Sequence, residues 1–374
     1  MNDQILGDLS IIGMRGCEEF TQEVDNYLRE WRAEDGVETY IADATCPRFG
    51  SGEGKAVIRD SQRGKDVFLI CDCFNHGVTY EMYGKTVPMS PDEHFQDLKR
   101  LIGAIGGKAR RVNVIMPMLY EGRQHKRSGR ESLDCALMLQ EIVNMGVSNI
   151  LTFDAHDPRV QNSIPLHGFD NCRTSYQMLK AMVREYPDLH IDADNMMIVS
   201  PDEGGMVKCM YYASILGLEL GMFYKRRNYT VLVNGKNPIE AHEYLGKSVK
   251  GKDVIVVDDM ISSGDSIIDV AAQLKAKGAR RIFVFASFGL FCNGLESMDK
   301  AYEEGIISRI FTTNLIYRTP ELLSREWYAE VNMCKFTALL INTMNHDQSI
   351  HPLLNQSERI HKLMNAHSAA LSGN

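Results

Sequence analysis

Residues 254–278 read VIVVDDMISSGDSIIDVAAQLKAKG, and this stretch predicts a strand, a loop and a helix in succession. The run that ends at Val257 is apolar and β-branched, which favours a short buried strand. Apolar residues then recur with a helical period at Ile267, Val270, Ala271 and Leu274. Gly278 ends that pattern, as expected for the end of a helix. A strand that passes directly into a helix indicates an α/β fold.

The loop inside this stretch combines two carboxylates with a run of small polar residues. Asp258 and Asp259 come at the predicted carboxyl end of the strand, and the residues that follow towards the helix are Ser262, Ser263, Gly264, Asp265 and Ser266. Backbone N–H groups at a helix start, with hydroxyls beside them, can bind a phosphate. The carboxylates repel that anion, so a fitting ligand needs hydroxyls or a metal at its other end. Ribose 5-phosphate has this shape; an acidic turn before a well-capped helix is the alternative.

Length and composition bound the class of protein. A chain of 374 residues predicts two domains, and 44% hydrophobic with 24% charged residues is typical of globular proteins. The formal charge of -8 and the lack of Lys/Arg-rich blocks argue against nucleic-acid binding. No apolar run approaches the ~18 residues of a membrane span, and the amino terminus lacks a basic region followed by an apolar one. We therefore expect a cytoplasmic protein with no membrane association.

Strand and helix patterns alternate along the chain. Buried strands are predicted near 66–71, 111–116, 150–153, 195–199, 220–224, 281–287 and 310–315. Helices are predicted near 17–31, 91–105, 132–145, 176–185 and 295–304, with a helical tail over 327–364. About eight strands in two halves predict two tandem domains with mainly parallel sheets flanked by helices, residues 1–165 and 166–374.

The pattern from Asp258 to Ser266 resembles the ribose-phosphate loop of type I phosphoribosyltransferases and of ribose-phosphate pyrophosphokinases. The resemblance implies that the backbone and hydroxyls of residues 262–266 hold the 5-phosphate. It also implies that Asp258 and Asp259 hold the ribose 2- and 3-hydroxyls. The fold implied for each half is that of a type I phosphoribosyltransferase.

Two loops in the first half resemble nucleotide-binding loops of the pyrophosphokinase family. Residues 48–54 (RFGSGEG) resemble its Phe-x-Asp-Gly-Glu loop, which implies that Phe49 and Glu53 reach the adenine in a neighbouring subunit. Residues 121–127 (EGRQHKR) resemble its Arg-Gln-Asp-Arg motif, which implies ATP contacts from Arg123, Gln124 and His125. On local grounds alone, a hairpin or connecting turn is the favoured interpretation of the first segment, and a solvated basic loop explains the second equally well.

Three further motifs follow predicted strands. Asp-Ala-His at 154–156 resembles the family's Asp-x-His and implies that His156 is a ligand of the magnesium in MgATP. Ser-Pro-Asp-Glu-Gly-Gly at 200–205 resembles its Ser-Pro-Asp-x-Gly-Gly and implies a metal or phosphate site at Asp202. Lys225 and Arg227 match its catalytic Lys-x-Arg pattern. A structural histidine, a Pro-Asp turn and solvated strand-end charges are the respective alternatives.

Together the motifs resemble ribose-phosphate pyrophosphokinase over nearly the whole chain. The resemblance implies transfer of the β,γ-pyrophosphoryl group of ATP to the 1-hydroxyl of ribose 5-phosphate, with Mg²⁺, in a homo-oligomer built from dimers and extending to hexamers. The chain departs from the family at Ser51, His125 and Phe288, and its segment 73–91 is longer and is interpreted as a surface insertion. These departures leave open a non-catalytic regulatory subunit. A phosphoribosyltransferase would explain only the ribose-phosphate loop.

Overall fold

The computed structural model of the chain describes residues 5–227 and 239–373; for residues 225–227 and 239–242 this description covers the backbone alone. Two compact units emerge, each formed from three pieces of the chain. The first unit comprises Met1–Thr174, Asn314–Thr319 and Asn332–Asn355, and the second comprises Ser175–Thr313, Pro320–Val331 and Gln356–Asn374. Segment 332–355 thus packs within the first unit, although a division at residue 165 would place it in the second half. The domain limits given by that division stay a prediction.

The first unit contains a five-stranded parallel sheet in the order β1-β4-β7-β8-β9. Its elements up to residue 174 are β1 (Leu9–Gly13), α1 (Glu18–Trp31), β2 (Ala44–Thr45), β3 (Val57–Ile58), β4 (Asp66–Ile70), β5 (Thr79–Met82), β6 (Lys85–Pro88), α2 (Pro91–Ile105), β7 (Arg111–Ile115), α3 (Asp134–Asn144), β8 (Asn149–Phe153) and β9 (Gly168–Cys172). Strands β2 and β3 pair with each other, and β5 and β6 form a hairpin within segment 73–91.

The second unit contains a seven-stranded sheet in the order β12-β11-β10-β13-β14-β15-β16. Its elements up to residue 331 are α4 (Ser175–Glu185), β10 (Met196–Ser200), α5 (Met206–Leu216), β11 (Glu219–Arg227), β12 (Ile239–Leu245), β13 (Asp253–Ile261), α6 (Asp265–Ala276), β14 (Ile282–Gly289), α7 (Glu296–Glu303), β15 (Arg309–Thr313), α8 (Pro320–Leu323) and β16 (Tyr328–Val331). Every pair is parallel except β11 with β12.

Three helices complete the chain: α9 (Cys334–Asn345), α10 (His351–Leu354) and α11 (Ser357–Ser372). Helix α9 packs against α1 in the first unit, and α11 packs against α4 and α5 in the second. No helix within 5–227 and 239–373 is long and apolar enough to cross a membrane.

A buried aspartate starts one inner strand of each sheet. Asp66 opens β4 and receives two hydrogen bonds from the Arg111 guanidinium, at 2.8 and 2.7 Å. Asp253 opens β13 and is bound by both Arg280 and Arg281 at 2.6 to 3.1 Å. Burial acts to raise the pKa of Asp253, but the hydrogen bonds from the two arginines outweigh it and lower that pKa. A buried carboxylate needs such partners, and these two therefore fix the amino ends of β4 and β13.

The predicted fold class is confirmed: both units are α/β with mainly parallel sheets flanked by helices. Three local predictions are wrong. The sequence from Glu38 to Ile41 predicts a short strand, but only an isolated bridge at Ile41 forms there. The tail from 327 begins with strand β16 before its helices, because Tyr328–Val331 pairs with β15. Strand β13 runs to Ile261 rather than ending at Val257, because its pairing with β14 continues beyond Asp258 and Asp259.

Candidate active site

The carboxyl edge of the second sheet gathers the motifs of the second half. From β10 the chain crosses to β11 on one side, and it later returns to β13 on the other side. Open α/β sheets bind ligands in the crevice at such a reversal of strand order. Residues 200–205 follow β10, and residues 258–266 end β13 and lead into α6. The two motifs therefore lie at the carboxyl ends of neighbouring strands, where this rule places a ligand.

The loop at the start of α6 is shaped by Gly264. This residue has φ of 96° and is the N-cap of α6, and a Cβ built on it would lie 2.2 Å from Cε of Met298. The positive φ disfavours any larger residue, and a Cβ would also displace the end of the Met298 side chain. A glycine N-cap offers no side-chain acceptor to the first N–H groups of the helix, which also lack acceptors within the helix. They are suited to bind an anion.

Serine and backbone contacts hold the rest of this loop. The hydroxyl of Ser263 donates to Oδ2 of Asp265 at 2.8 Å. The N–H of Cys292 donates to the carbonyl of Ser262 at 2.9 Å, and the N–H of Leu290 donates to that of Ile261 at the same distance. The chain after β14 thus supports the loop from one side, while Ser266 is exposed at the helix start.

Asp258 and Asp259 lie side by side in β13 and are both half-buried. The N–H of Asp259 donates to Oδ1 of Asp258 at 2.8 Å. Burial raises the pKa of Asp258 well above its usual range, and the neighbouring charge of Asp259 raises it further. Because the pairing with β14 includes Asp258 opposite Ala286 and Met260 opposite Phe288, the sheet fixes the backbone of both carboxylates.

Asp202 organises the turn between β10 and α5. Its Oδ1 accepts the N–H groups of Gly204 and Gly205, at 2.9 and 3.2 Å. The hydroxyl of Ser200 donates to the Asp202 carbonyl at 2.7 Å. A Cβ on Gly205 would lie 2.9 Å from that Ser200 hydroxyl, so the turn requires a small residue there. The Pro-Asp turn expected as the structural alternative is present, and its carboxylate stands at the carboxyl edge of the sheet.

Lys225 and Arg227 lie within strand β11 rather than after it. The backbone of Lys225 pairs with that of His242 in the antiparallel strand β12, and the register shifts between Arg226 and Arg227. Their side chains are outside the described structure. The sequence over 228–246, with a hairpin signal at Asn234-Gly235, predicts a loop. Residues 228–238 of it lie outside the described residues, and its remainder includes β12.

In the first unit, the loops after β7 and β8 bring two histidines together. The rings of His125 and His156 are 5.2 Å apart between centroids, and Nε2 of His125 lies 3.5 Å from Oδ2 of Asp157. The pKa of Asp157 is lowered to about 2, mainly because the Arg159 side chain donates hydrogen bonds to it. Asp154 has φ of 39°, a strained backbone of the kind often found at functional sites. His156 itself is exposed.

The other residues predicted to bind the nucleotide differ in their exposure and in their hydrogen bonds. Gln124 donates through Nε2 to the carbonyls of Lys126 and Ser132, at 3.3 and 3.0 Å, so its amide holds its own loop together. Arg123 is exposed. Phe49 is 54% exposed at the tip of a tight loop closed by the pairing of Arg48 with Gly54. Glu53 accepts the Ser51 hydroxyl at 2.8 Å.

One residue of this edge escaped the sequence analysis. Lys208, in the first turn of α5, donates through Nζ to the carbonyl of Asp258 at 3.4 Å. The sequence feature that could have drawn attention to Lys208 is that it is the one charged residue in its helix, MVKCMYYASIL. No group of three or more His, Cys, Asp or Glu side chains within the described ranges is placed to hold a metal ion.

The fold and the loop at the reversal of strand order define a two-unit α/β protein with a phosphoribosyltransferase-type second unit. The family model described as the phosphoribosyl transferase domain matches residues 174–305, and the model of the N-terminal domain of ribose phosphate pyrophosphokinase matches residues 9–146. The chain belongs to the ribose-phosphate pyrophosphokinase family.

Individual relatives agree with this assignment. The chain is 25% identical over 330 residues to the ribose-phosphate pyrophosphokinase of Vibrio cholerae, covering 87% of this chain and 95% of the relative. It is 27% identical over 319 residues to that of Shewanella oneidensis, covering 83% and 90%. The crystal structure of phosphoribosylpyrophosphate synthetase from Mycobacterium smegmatis matches with a TM-score of 0.73 at 21% identity, over 91% of this chain and 99% of that one. That likeness establishes the fold.

Proposed function

We propose that this protein is a ribose-phosphate diphosphokinase. It transfers the pyrophosphoryl group of ATP to the 1-hydroxyl of ribose 5-phosphate and releases AMP and 5-phosphoribosyl 1-pyrophosphate. The observation that carries the proposal is the pair Asp258–Asp259 held by the sheet beside the helix start at Gly264. An anion-binding helix start next to two hydroxyl acceptors is complementary to a sugar phosphate.

The sugar is bound through its phosphate and its hydroxyls. The hydroxyls of Ser262, Ser263 and Ser266 and the first N–H groups of α6 hold the 5-phosphate. The carboxylates of Asp258 and Asp259 accept hydrogen bonds from the 2- and 3-hydroxyls. This binding orients the 1-hydroxyl towards the β-phosphorus of ATP. Phosphoryl-transfer catalysis is mainly positioning and charge stabilisation, so no general base is needed.

Lys225 and Arg227 supply positive charge for the transferring group. Both sit on β11, next to β10 in the sheet whose carboxyl edge carries the site. In the transition state negative charge spreads over the phosphoryl oxygens, and a preorganised cation there stabilises it more than it stabilises the bound substrates. We assign Arg123, Gln124, His125, Phe49 and Glu53 to ATP binding, the last two in a neighbouring subunit of a homo-oligomer.

Asp202 and His156 are the proposed contacts for Mg²⁺. A carboxylate at the ligand-binding edge suits this ion, which in nucleotide sites is bound through few protein side chains and through substrate phosphates. When bound, Mg²⁺ neutralises phosphate oxygens.

A non-catalytic regulatory subunit is the second candidate, and Phe288 favours it. Only 2% of Phe288 is exposed, so it offers no polar contact where the family commonly has a histidine. A regulatory subunit would bind the substrates, or an active partner chain, without turnover.

Nucleotide product analysis tests the proposal. Purified protein is incubated with ATP and ribose 5-phosphate, with and without Mg²⁺, and the nucleotides are separated by ion-exchange chromatography. We expect AMP in a one-to-one ratio with 5-phosphoribosyl 1-pyrophosphate, and only with the metal present. ADP as the sole product would indicate an ordinary kinase, and substrate binding without product would favour the regulatory subunit.

A binding measurement tests the sugar site separately. Asp259→Asn should weaken ribose 5-phosphate binding far more than ATP binding, because a hydrogen bond to a charged group contributes roughly 1.5 to 3 kcal/mol. Calorimetry on the folded variant gives both affinities. Equal losses for the two ligands would show that the aspartate serves the fold or the metal.

A further inference from the structure

The hairpin β5–β6 lies against the loop over residues 48–54, to which the proposed function assigns ATP contacts from Phe49 and Glu53. The hairpin is a sheet of two strands joined by the two-residue turn Tyr83–Gly84. An isolated two-stranded hairpin is only marginally stable in water, so this one needs packing partners. Its contacts identify them as the loop over residues 48–54 and the first turns of helix α2.

The turn of the hairpin is bonded directly to the loop. The N–H of Tyr83 donates to the carbonyl of Gly50 at 2.9 Å, one residue after Phe49. Gly52, with φ of 94°, lies so close to Met82 that a Cβ built on it would be 2.8 Å from the Met82 sulfur. The hairpin thus contacts the tip of the loop through both its backbone and a side chain.

The same face of the hairpin covers the residue at which the loop begins. Tyr80 and Met82 are half-buried and stand two residues apart on β5, as expected of side chains on one face of a strand. The Arg48 guanidinium lies over the Tyr80 ring, 5.3 Å from its centroid, and donates to the Asp97 carboxylate at 2.6 Å. The Tyr80 hydroxyl donates to the carboxylate of Glu93 on α2. Arg48 is therefore held between the hairpin and α2.

A loop of this composition gains from external support. Three of its seven residues are glycine, which has the greatest backbone freedom to lose. More than half of Phe49 is exposed, so burial of its ring contributes little to the shape of the loop. Support that orders a binding segment in advance raises its affinity, because less conformational entropy is lost when the ligand binds.

We propose that the hairpin β5–β6 positions the loop over residues 48–54 for ATP binding. It does so through the hydrogen bond from Tyr83 and through the packing of Tyr80 and Met82. The inference rests on the proposed function, because it gives segment 73–91 a role at the same nucleotide site. The hairpin does not itself contact ATP in this account; it acts through the side chains of the loop.

An excision variant removes the hairpin without opening the chain. The N–H of Met89 donates to the carbonyl of Val78 at 2.8 Å, so the residues that flank the hairpin already face each other. Residues 79–88 are therefore replaced by the dipeptide Asn-Gly, which favours the two-residue turn that this geometry requires. Met82→Ala removes only the contact with Gly52, and it repeats the measurements if the excision variant does not fold.

Tyr83→Asn is the matched control. It keeps the N–H that donates to Gly50, and asparagine is favoured at a turn position with positive φ, whereas the lost tyrosine ring is 80% exposed. Calorimetry gives the affinities for ATP and for ribose 5-phosphate, and thermal melts verify folding. Hydrogen exchange of residues 47–55, followed by mass spectrometry, reports the order of the loop without any ligand.

We expect the excision variant to bind ATP about tenfold more weakly, while its ribose 5-phosphate affinity stays within about twofold of the unchanged protein. Exchange over residues 47–55 should become at least about tenfold faster. Phe49→Ala should weaken ATP binding by itself, and adding the excision to it should cost less than about twofold more, because the hairpin acts through the loop. Met82→Ala should show smaller changes in the same direction, and Tyr83→Asn should match the unchanged protein.

Unchanged exchange over residues 47–55 in a folded excision variant would overturn the inference, because the loop would hold its shape alone. Faster exchange with unchanged ATP affinity would show that the support does not serve ATP binding. Equal losses for ATP and ribose 5-phosphate would assign the hairpin to the stability of the fold instead. Normal ATP binding by Phe49→Ala would refute the proposed role of the loop itself, and the exchange rates would still show whether the hairpin supports that loop.

Discussion

Replacing Gly264 by alanine should disable the sugar site through two independent strains. The residue has φ of 96°, a conformation that costs a non-glycine residue about 1 to 2 kcal/mol. The new Cβ would lie 2.2 Å from Cε of Met298. Met298 is only 1% exposed, so its terminal methyl group must shift within the packed interior, and overpacking of this kind typically costs about 1 to 3 kcal/mol. Alanine also restricts the unfolded chain, which returns about 0.4 to 1 kcal/mol.

The expected net loss in the free energy of unfolding is roughly 1 to 5 kcal/mol, from the sum of these contributions. Urea denaturation measures it, and calorimetry should show at least about tenfold weaker ribose 5-phosphate binding, since the helix start is displaced. Gly305→Ala is the matched control: its φ is 68°, but a Cβ there meets nothing within 4 Å. That control should lose about 1 kcal/mol and no affinity. Equal stability and affinity for Gly264→Ala and the unchanged protein would refute the reasoning.

Three other perturbations test separate parts of the account. Lys225→Ala should lower kcat and kcat/KM together by ~10²- to 10³-fold with KM little changed, and a folded variant within about threefold of normal kcat would contradict the assignment. Asp253→Asn should lower the free energy of unfolding in urea by about 2 to 4 kcal/mol, because it leaves Arg280 and Arg281 without their buried carboxylate. The control Asp188→Asn removes an exposed partner of Arg281 and should cost under about 1 kcal/mol. Equal losses for the two variants would contradict this. Burial raises the pKa of Asp72 to about 6, above its unfolded value, so its contribution to stability is full below about pH 4 and is lost as the pH rises through about 6. The stability of the unchanged protein relative to Asp72→Asn should therefore fall by up to about 3 kcal/mol between pH 4 and 8, and a difference independent of pH would contradict this.

The strands and helices that the sequence predicts correctly have strong periodicity or long apolar runs. Helix α1 and helix α2 match their predicted spans almost to the residue, and the second begins at a capping box formed by Ser90 and Glu93. Such signals are local: capping, period and turn chemistry lie within a few residues of each other. The Ser-Pro-Asp-Glu-Gly-Gly motif at 200–205 is likewise correctly predicted to stand at the end of a strand, β10.

What the sequence does not show depends on contacts distant along the chain. Strand β13 continues through Asp258 and Asp259 because β14 pairs with it, and two carboxylates in succession give no strand signal. Strand β16 is short and lies in a segment with a helical pattern. The packing of α9 on α1 joins residues more than 300 positions apart, and no local pattern encodes it. The contact of Lys208 with Asp258 is of the same kind.

Phosphorus NMR of the purified protein with ATP, ribose 5-phosphate and Mg²⁺ tests the central claim most directly, because it shows which phosphorus moves. The account predicts that the β- and γ-phosphorus signals of ATP decay together, and that a diphosphate ester on the sugar and the single signal of AMP grow at the same rate. Loss of the γ-phosphorus signal alone, with ADP accumulating, or unchanged spectra from protein that binds both substrates, would contradict it.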